Sequence, residues 1–177
     1  MSIWGRGIGY AADRPLTGVG VGAFNIAEGT ISPLARQQEY GKGLKWSSPH
    51  NSFVQVLAET GAVGFVIFLA ILFYAYRAAA RLARASLGRS RRARRYGELA
   101  QAHAAAIAGY VVSGFFLSQG YAPYLYFVIG MIIGLDVTVR AEWRADDAVL
   151  DALSYATQTE PEGVTEADAA LGSLVWS

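Results

Sequence analysis

The sequence predicts an all-α integral membrane protein with three transmembrane helices, preceded by an external loop region that carries short helices. Two observations support this prediction. Of the 177 residues, 53% are hydrophobic and 16% are charged, a composition that excludes a disordered chain and is unusual for a soluble domain. The apolar residues are also gathered into three runs, each close to the length that crosses a bilayer.

The first apolar run predicts a transmembrane helix over residues 59–80. Its central part, residues 61–76, reads GAVGFVIFLAILFYAY and carries no charge. A helix needs roughly 20 apolar residues to cross the hydrocarbon core, and the apolar residues upstream of Gly61 bring the run to about that length.

The second and third runs predict transmembrane helices over residues 99–118 and 121–139. The third run contains Pro123 near its start and Asp136 near its end. Because the residues between the two runs are so few, we expect these helices to form a tight antiparallel hairpin.

The charges predict the orientation of the spans. Residues 77–95 hold eight arginines and no acid, whereas residues 140–177 hold eight acids. Basic residues next to a span mark its cytoplasmic side, so we expect an Arg-rich cytoplasmic loop at 81–98. Residues 1–58 are then an external, periplasmic loop region, and the acidic tail 140–177 is cytoplasmic. The tail begins with a segment that is typical of an amphipathic helix.

The arginine cluster has a second interpretation, as a site for nucleic acid. Between two apolar spans, arginines are more often a topology signal and an anchor for anionic lipid. We therefore expect membrane lipid as a partner and no nucleic acid. The chain has no cysteine, which excludes disulfides, thiolate metal sites and cysteine nucleophiles; we expect no metal and no cofactor.

The segment Pro49-His50-Asn51-Ser52 is the densest candidate for chemistry. Asn51 or Ser52 can cap the helix that leads into the first span, which places His50 at a helix N-terminus just outside the bilayer. The backbone N–H groups of such a terminus can bind a phosphate. On the residues alone, His50 is either a functional histidine or one that merely packs at the membrane interface.

A second element, residues 15–24, reads PLTGVGVGAF. Its alternating glycines lack the Gly-Lys-Ser/Thr ending of a P-loop and the spacing of a dinucleotide fingerprint. They predict instead a tight turn whose backbone closely approaches another helix or loop.

In order and spacing, these elements resemble the O-antigen ligase and polysaccharide polymerase superfamily of bacterial inner-membrane glycosyltransferases. The resemblance covers about residues 4–76. It is carried by Trp4, the Pro-Leu-x-Gly-x-Gly-x-Gly-x-Phe segment 15–24, His50, Asn51, Glu59, Gly61 and the span that follows.

The resemblance implies the C-terminal portion of a polytopic GT-C-type fold in the bacterial inner membrane. It implies transfer of a glycan from undecaprenyl diphosphate to an acceptor hydroxyl, on lipid A core or on a growing polysaccharide. By this analogy His50 is the general base, and external arginines bind the diphosphate. Arg14 and Arg36 are the first candidates, Lys45 is a weaker third, and Asn51 is a further substrate-binding residue.

The resemblance leaves alternatives open. Family members have around a dozen spans, so we expect a missing N-terminal half as a partner and no activity from this chain alone. The main alternative is a noncatalytic membrane subunit or a truncated remnant, and a small transporter or channel element ranks last. Glu59 either positions His50 or a substrate hydroxyl, or simply favours its helix, and we expect an interfacial structural role for His103.

Overall fold

A computed structural model describes residues 2–32 and 47–159. Within these residues the secondary structure is helical and contains no strand, which confirms the all-α prediction. The five helices, in chain order, are α1 (Ile3–Asp13), α2 (Phe24–Thr30), α3 (Ser52–Ala85), α4 (Arg91–Gly114) and α5 (Pro123–Thr159).

The two short helices fall in the region that the sequence assigned to an external loop with short helices. Helix α1 begins after Ser2, whose hydroxyl accepts a hydrogen bond from the Gly5 N–H at 3.2 Å. Helix α2 follows the glycine-rich segment. Tyr10 of α1 and Phe24 and Ala27 of α2 pack with Ala58 of α3 into a small apolar core. The first turns of α3 therefore support α1 and α2.

Helix α3 is interrupted at Gly61, whose φ of 67° and ψ of −170° are not helical. The part from residue 61 to residue 85 is about 37 Å long at 1.5 Å per residue. That length exceeds the roughly 30 Å of a hydrocarbon core, so this part of α3 is long enough to cross a membrane, with Arg77, Arg81 and Arg84 in its last turns.

The arginine-rich segment 81–98, which we expected as a loop, is largely helical. Helix α3 continues to Ala85, and α4 starts at Arg91. The Ser90 hydroxyl accepts from the Ala93 N–H at 3.3 Å and caps α4. Arginine is a good helix former, so a cluster of arginines does not by itself break a helix.

A short connection, residues 115–122, joins the helices that hold most of the second and third predicted spans. The antiparallel pairing of these two spans stays a prediction. Helix α4 ends at Gly114, and α5 starts with Pro123, a residue that suits the first helical position because its missing N–H has no helical partner there. Two tyrosine hydroxyls tie the connection to the helices: Tyr110 donates to the Gln119 carbonyl at 3.0 Å, and Tyr126 donates to the Gly120 carbonyl at 3.1 Å.

The main core lies among α3, α4 and the first part of α5. Its buried residues are Val56, Phe68, Leu72, Ala75, Ala79, Ile107, Tyr110, Leu125, Ile129 and Ile132. This packing places His50 and the arginine cluster at opposite ends of the α3–α4 pair, because His50 precedes α3 and the arginines flank the connection to α4.

Two of the described helices are long and apolar enough to cross a membrane, over Ser52–Ala85 and Pro123–Gln158. The first contains the predicted first span, and the second contains the predicted third span from Pro123 onward. Helix α4 contains the predicted second span only as far as Gly114, and it also includes Arg91, Arg92, Arg94 and Arg95. A third transmembrane helix and the GT-C-type fold remain predictions.

The chain divides into two compact units, residues 1–136 and 137–177. The described part of the second unit is helical, which confirms the helix expected at the start of the acidic tail. Residues 160–177 lie outside the described part of the chain.

Candidate functional site

His50 is exposed and has a φ of 47°. Residues other than glycine rarely adopt this left-handed conformation, although histidine does so more often than most. Such strain persists only where the surrounding structure holds the backbone. The contacts of the neighbouring residues therefore show how His50 is presented.

Asn51 fixes the segment that carries His50 to the start of α3. Its side-chain Oδ1 accepts from the N–H groups of Phe53 and Val54, each at 3.0 Å, which makes it the N-cap of α3. Its Nδ2 donates to the Phe115 carbonyl at 3.3 Å, and the residue is 3% exposed. The expected cap is thus confirmed, and the same side chain joins α3 to the end of α4.

Two serines hold the segment against the α4–α5 connection. The Ser48 hydroxyl donates to the Ser118 hydroxyl at 2.8 Å. The Ser52 hydroxyl donates to the Leu117 carbonyl at 2.6 Å and accepts from the Gln119 N–H at 2.9 Å. Residues on both sides of His50 are therefore fixed to one connection.

A hydrogen bond from Trp4 of α1 also holds the segment that carries His50. Its indole N–H donates to the Pro49 carbonyl at 2.7 Å, and Pro49 is fully buried. This bond attaches α1 to the peptide group that immediately precedes His50. It gives a structural reason for a tryptophan at this distance from the histidine.

The glycine-rich turn, residues 15–23, packs against the break in α3. The Val19 N–H donates to the Ala58 carbonyl and the Gly20 N–H to the Glu59 carbonyl, both at 2.9 Å. In return the Ala62 N–H donates to the Pro15 carbonyl at 2.7 Å. The predicted close approach of this turn to another helix is confirmed.

Two glycines make this approach possible. A Cβ on Gly18 would lie 2.5 Å from the Ala58 carbonyl oxygen, and a Cβ on Gly61 would lie 2.6 Å from the Pro15 carbonyl oxygen. Both glycines also have positive φ. Backbone contacts this short leave no room for any side chain at either position.

Glu59 completes the contact between the turn and α3. It is 1% exposed, and its carboxylate accepts from the Gly22 N–H at 2.9 Å and from the Phe24 N–H at 3.0 Å. A carboxylate at the start of α2 also interacts favourably with the positive, N-terminal end of that helix dipole. These bonds give Glu59 a structural role in holding the turn.

A second buried carboxylate lies between α1 and α2. The Arg6 Nε donates to both carboxylate oxygens of Glu28, at 2.9 and 3.0 Å, and the Tyr10 hydroxyl donates to Glu28 Oε1 at 2.7 Å. The hydrogen bond with Glu28 raises the pKa of Arg6. Burial, and then the same carboxylate, raise the pKa of Tyr10 well above its ordinary value.

The site's sequence matches one family. Residues 1–69 match the O-antigen ligase family model. The matched segment contains the whole arrangement described above apart from the α4–α5 connection, and the match confirms the resemblance found in the motifs. No curated protein and no solved structure matches the chain.

The O-antigen ligase match and the two apolar helices together indicate a membrane protein. Within the matched segment, each motif that carried the resemblance has a structural partner: Trp4 binds Pro49, the glycine turn binds the break at Gly61, and Glu59 binds the turn.

The predicted site residues that the structure describes lie in different parts of the fold. His50 and Asn51 are adjacent, but the Asn51 side chain is bonded to backbone groups, so its contact with substrate stays a prediction. Arg14 is exposed and follows α1, about 15 Å along that helix from Trp4. The structure therefore does not bring Arg14 to His50 through α1. Arg36 and Lys45 lie outside the described residues.

The Arg6–Glu28–Tyr10 cluster of the matched segment was not foreseen from the sequence. Arg6 and Glu28 are 22 positions apart, and no local pattern pairs residues at that separation. Residues 1–32 hold two arginines and two acids, so the charges alone do not determine which of them pair. As for metals, the described residues contain no group of three His, Cys, Asp or Glu side chains that could hold an ion.

Proposed function

We propose that this chain is the C-terminal part of a multi-pass glycosyltransferase of the O-antigen ligase type in the bacterial inner membrane. The donor is a glycan on undecaprenyl diphosphate, and the acceptor is a hydroxyl of lipid A core or of a growing polysaccharide. Residues 1–58 face the periplasm in this proposal, and an N-terminal half completes the enzyme.

The observation that carries the proposal is the presentation of His50 within the segment that matches the O-antigen ligase family model. Its side chain is exposed at the start of α3, in a left-handed backbone conformation. The flanking residues bind α1, α3 and the α4–α5 connection. A histidine that served only to fill space at an interface would not require this arrangement, whereas a base that must meet a substrate benefits from a fixed position.

The proposed step is a single displacement. The acceptor hydroxyl attacks the anomeric carbon of the donor sugar and gives its proton to the His50 imidazole. The bond from the anomeric carbon to the diphosphate oxygen breaks as the new C–O bond forms, and undecaprenyl diphosphate leaves with its electron pair. Attack from the opposite face inverts the anomeric configuration.

The leaving diphosphate carries negative charge that cationic side chains can stabilise without a metal. We assign this function to external arginines, with Arg14 and Arg36 as the candidates. Arg6 is a poor candidate because its guanidinium is bonded to Glu28 and its side chain is 10% exposed. Asn51 contributes by fixing the backbone next to His50, and its direct contact with substrate belongs to the same proposal.

The test is to replace His50 in cells that also supply the N-terminal half. His50→Ala removes the imidazole, and His50→Asn also removes it while keeping a residue that tolerates the left-handed conformation. Since a general base commonly contributes about 10²–10⁴-fold, we expect both variants to lose transfer by at least about 100-fold at unchanged membrane levels. Glycan transfer is measured on gels of the extracted product.

His103→Asn is the matched control. His103 lies on α4, where its Nδ1 is 2.7 Å from the Leu99 carbonyl oxygen, and this variant should keep normal transfer. Normal transfer by His50→Asn at matched abundance would remove His50 from the mechanism. It would favour the alternative function, a noncatalytic membrane subunit or a remnant.

A further inference from the structure

An apolar groove of about 440 Å³ runs along the outer surface between α3 and the first part of α5. It lies far from His50, toward the arginine-rich end of α3. The residues that line it are Ile67, Ala70, Ile71, Tyr74, Ala75, Ala78, Arg81, Ile129 and Ile133.

Apart from Tyr74 and Arg81, the residues that line the groove are aliphatic. Ile67 and Ile133 are 55% and 56% exposed, whereas Ala75 and Ile129 beneath them are buried. On a membrane-crossing helix, exposed side chains of this kind face lipid tails. From Ile67 to Ala78 the groove extends about 16 Å along α3, which is about half of a 30 Å hydrocarbon core. Its apolar part therefore matches the depth of one leaflet.

Arg81 lies at the end of this apolar surface. Among the described residues that line the groove it carries the one charge, and it is exposed. Its position next to Arg77 and Arg84 makes this end of α3 strongly cationic. A guanidinium forms paired hydrogen bonds with phosphate oxygens. The groove thus combines a binding surface for an acyl chain with a cation at headgroup depth.

A second cavity, at the α3–α4 connection, lacks this combination. It also has a volume of about 440 Å³, but Arg89 and Arg94 share its lining with Glu98. Arg94 forms an ion pair with Glu98 at 3.4 Å. A cavity that carries both signs of charge is less suited to an anionic headgroup than the groove that ends at Arg81.

We propose that the groove binds one anionic glycerophospholipid of the leaflet on the arginine-rich side, with its phosphate on Arg81 and an acyl chain between Ile71 and Ile133. Charge complementarity selects the headgroup, and the length of the apolar surface selects the chain. This site is separate from the region of His50 and does not depend on the glycosyltransferase proposal.

The headgroup is tested by native mass spectrometry of the full chain in detergent. Phosphatidylglycerol and phosphatidylcholine with identical acyl chains are titrated separately. Because one arginine near anionic lipid is worth about five-fold in binding, Arg81→Gln should lower the preference for phosphatidylglycerol by about that factor. Binding of phosphatidylcholine should fall by less, because its choline group offsets the charge of the same phosphate.

Arg95→Gln is the control for net charge, since Arg95 is exposed and does not line the groove. It should keep the preference for phosphatidylglycerol. An equal loss in the two variants would mean a general charge effect, and no loss in Arg81→Gln would mean that the phosphate lies elsewhere. Either result overturns the proposal.

The acyl-chain surface is tested with Ile133→Trp, which fills the groove. This variant should reduce the binding of both lipids, while Val112→Trp, at an exposed position of α4, should not. Unchanged lipid binding by Ile133→Trp would overturn the proposal. A wild-type dimer that Ile133→Trp dissociates would also overturn it, because the groove would then hold a second copy of the chain. The Arg81 comparison remains decisive if Ile133→Trp does not fold.

Discussion

At the residue scale, the chain uses side chains to fix backbone that carries no regular hydrogen bonds. Glu59 binds the Gly22 N–H of the glycine turn and the Phe24 N–H at the start of α2, and Asn51 binds two N–H groups of α3. A left-handed residue other than glycine costs about 1–3 kcal/mol. The hydrogen bonds around His50, each worth about 1 kcal/mol, are sufficient to offset that cost.

The buried tyrosine of α1 leads to a prediction on pH. An unfolded tyrosine ionises near its ordinary pKa of 10.0, whereas burial and Glu28 raise the pKa of Tyr10 in the folded state. The stabilisation by Tyr10 is therefore complete below pH 10 and declines as the pH rises above it, because only the unfolded state then releases the proton. Wild type should exceed Tyr10→Phe in unfolding temperature at pH 8, and the difference should shrink above pH 10.

Thermal unfolding in detergent, followed by circular dichroism, measures this difference. Tyr74→Phe is the control, because Tyr74 is 64% exposed on α3. If the gap between wild type and Tyr10→Phe stays constant from pH 8 to pH 11, the interpretation of Tyr10 is contradicted.

At the element scale, the sequence predicted the helices that periodicity and apolar length determine, and missed what depends on distant partners. The start of α3 was predicted from Asn51, and the short connection between α4 and α5 from the few residues between the second and third apolar runs. The turn at residues 15–23 was predicted to approach another element, but its partner, the break at Gly61, was not. That pairing joins segments about 40 residues apart, and the local sequence does not encode which glycine faces which carbonyl.

In the candidate site too, the sequence predicted the features that adjacent residues determine and missed the contacts between distant residues. His50 and its helix N-terminus were predicted from adjacent residues. The bonds from Trp4 to Pro49 and from Ser48 to Ser118 cross 45 and 70 positions. A single sequence has no signal for such contacts, because they result from the packing of α1 and of the α4–α5 connection around the start of α3.

The break in α3 leads to a prediction at this scale. Gly61 and Gly88 both have positive φ, 67° and 77°, but a Cβ would meet backbone only at Gly61. Gly88→Ala should cost only the conformational strain, about 1–2 kcal/mol. Gly61→Ala should cost more, because the glycine turn must also move away from α3.

Unfolding temperatures of the two variants, measured side by side in detergent, compare these costs. Gly61→Ala should also expose the turn to limited proteolysis within residues 15–23, while Gly88→Ala should leave it protected. Equal stabilities and equal protection would show that the turn does not depend on its contact with Gly61.

At the scale of the whole molecule, the structure separates two chemically different ends. The His50 end carries most of the segment that matches the O-antigen ligase family model, and the α3–α4 connection carries the arginines. We predict that the first end faces the periplasm and the second the cytoplasm. The chain has no cysteine, so single cysteines can report this directly.

Leu87→Cys and Thr30→Cys are suitable positions, since both residues are exposed and neither is a helix cap. In intact cells with a permeabilised outer membrane, an impermeant maleimide should label Thr30→Cys and not Leu87→Cys. Both should be labelled after the inner membrane is disrupted. The reverse pattern would invert the topology.

The last prediction concerns what these 177 residues can do alone. A lipid-linked donor needs a groove enclosed on several sides, because charged groups at membrane depth must be surrounded by protein or water. The described helices supply a candidate base at one end and an uncharged apolar run, residues 61–76, next to it. They supply one wall of such a groove, so we expect no glycan transfer without the N-terminal half.

The measurement is reconstitution in liposomes with an undecaprenyl-diphosphate glycan and an acceptor, with and without a co-expressed N-terminal half. Turnover by the isolated chain that His50→Asn abolishes would show that one wall is sufficient.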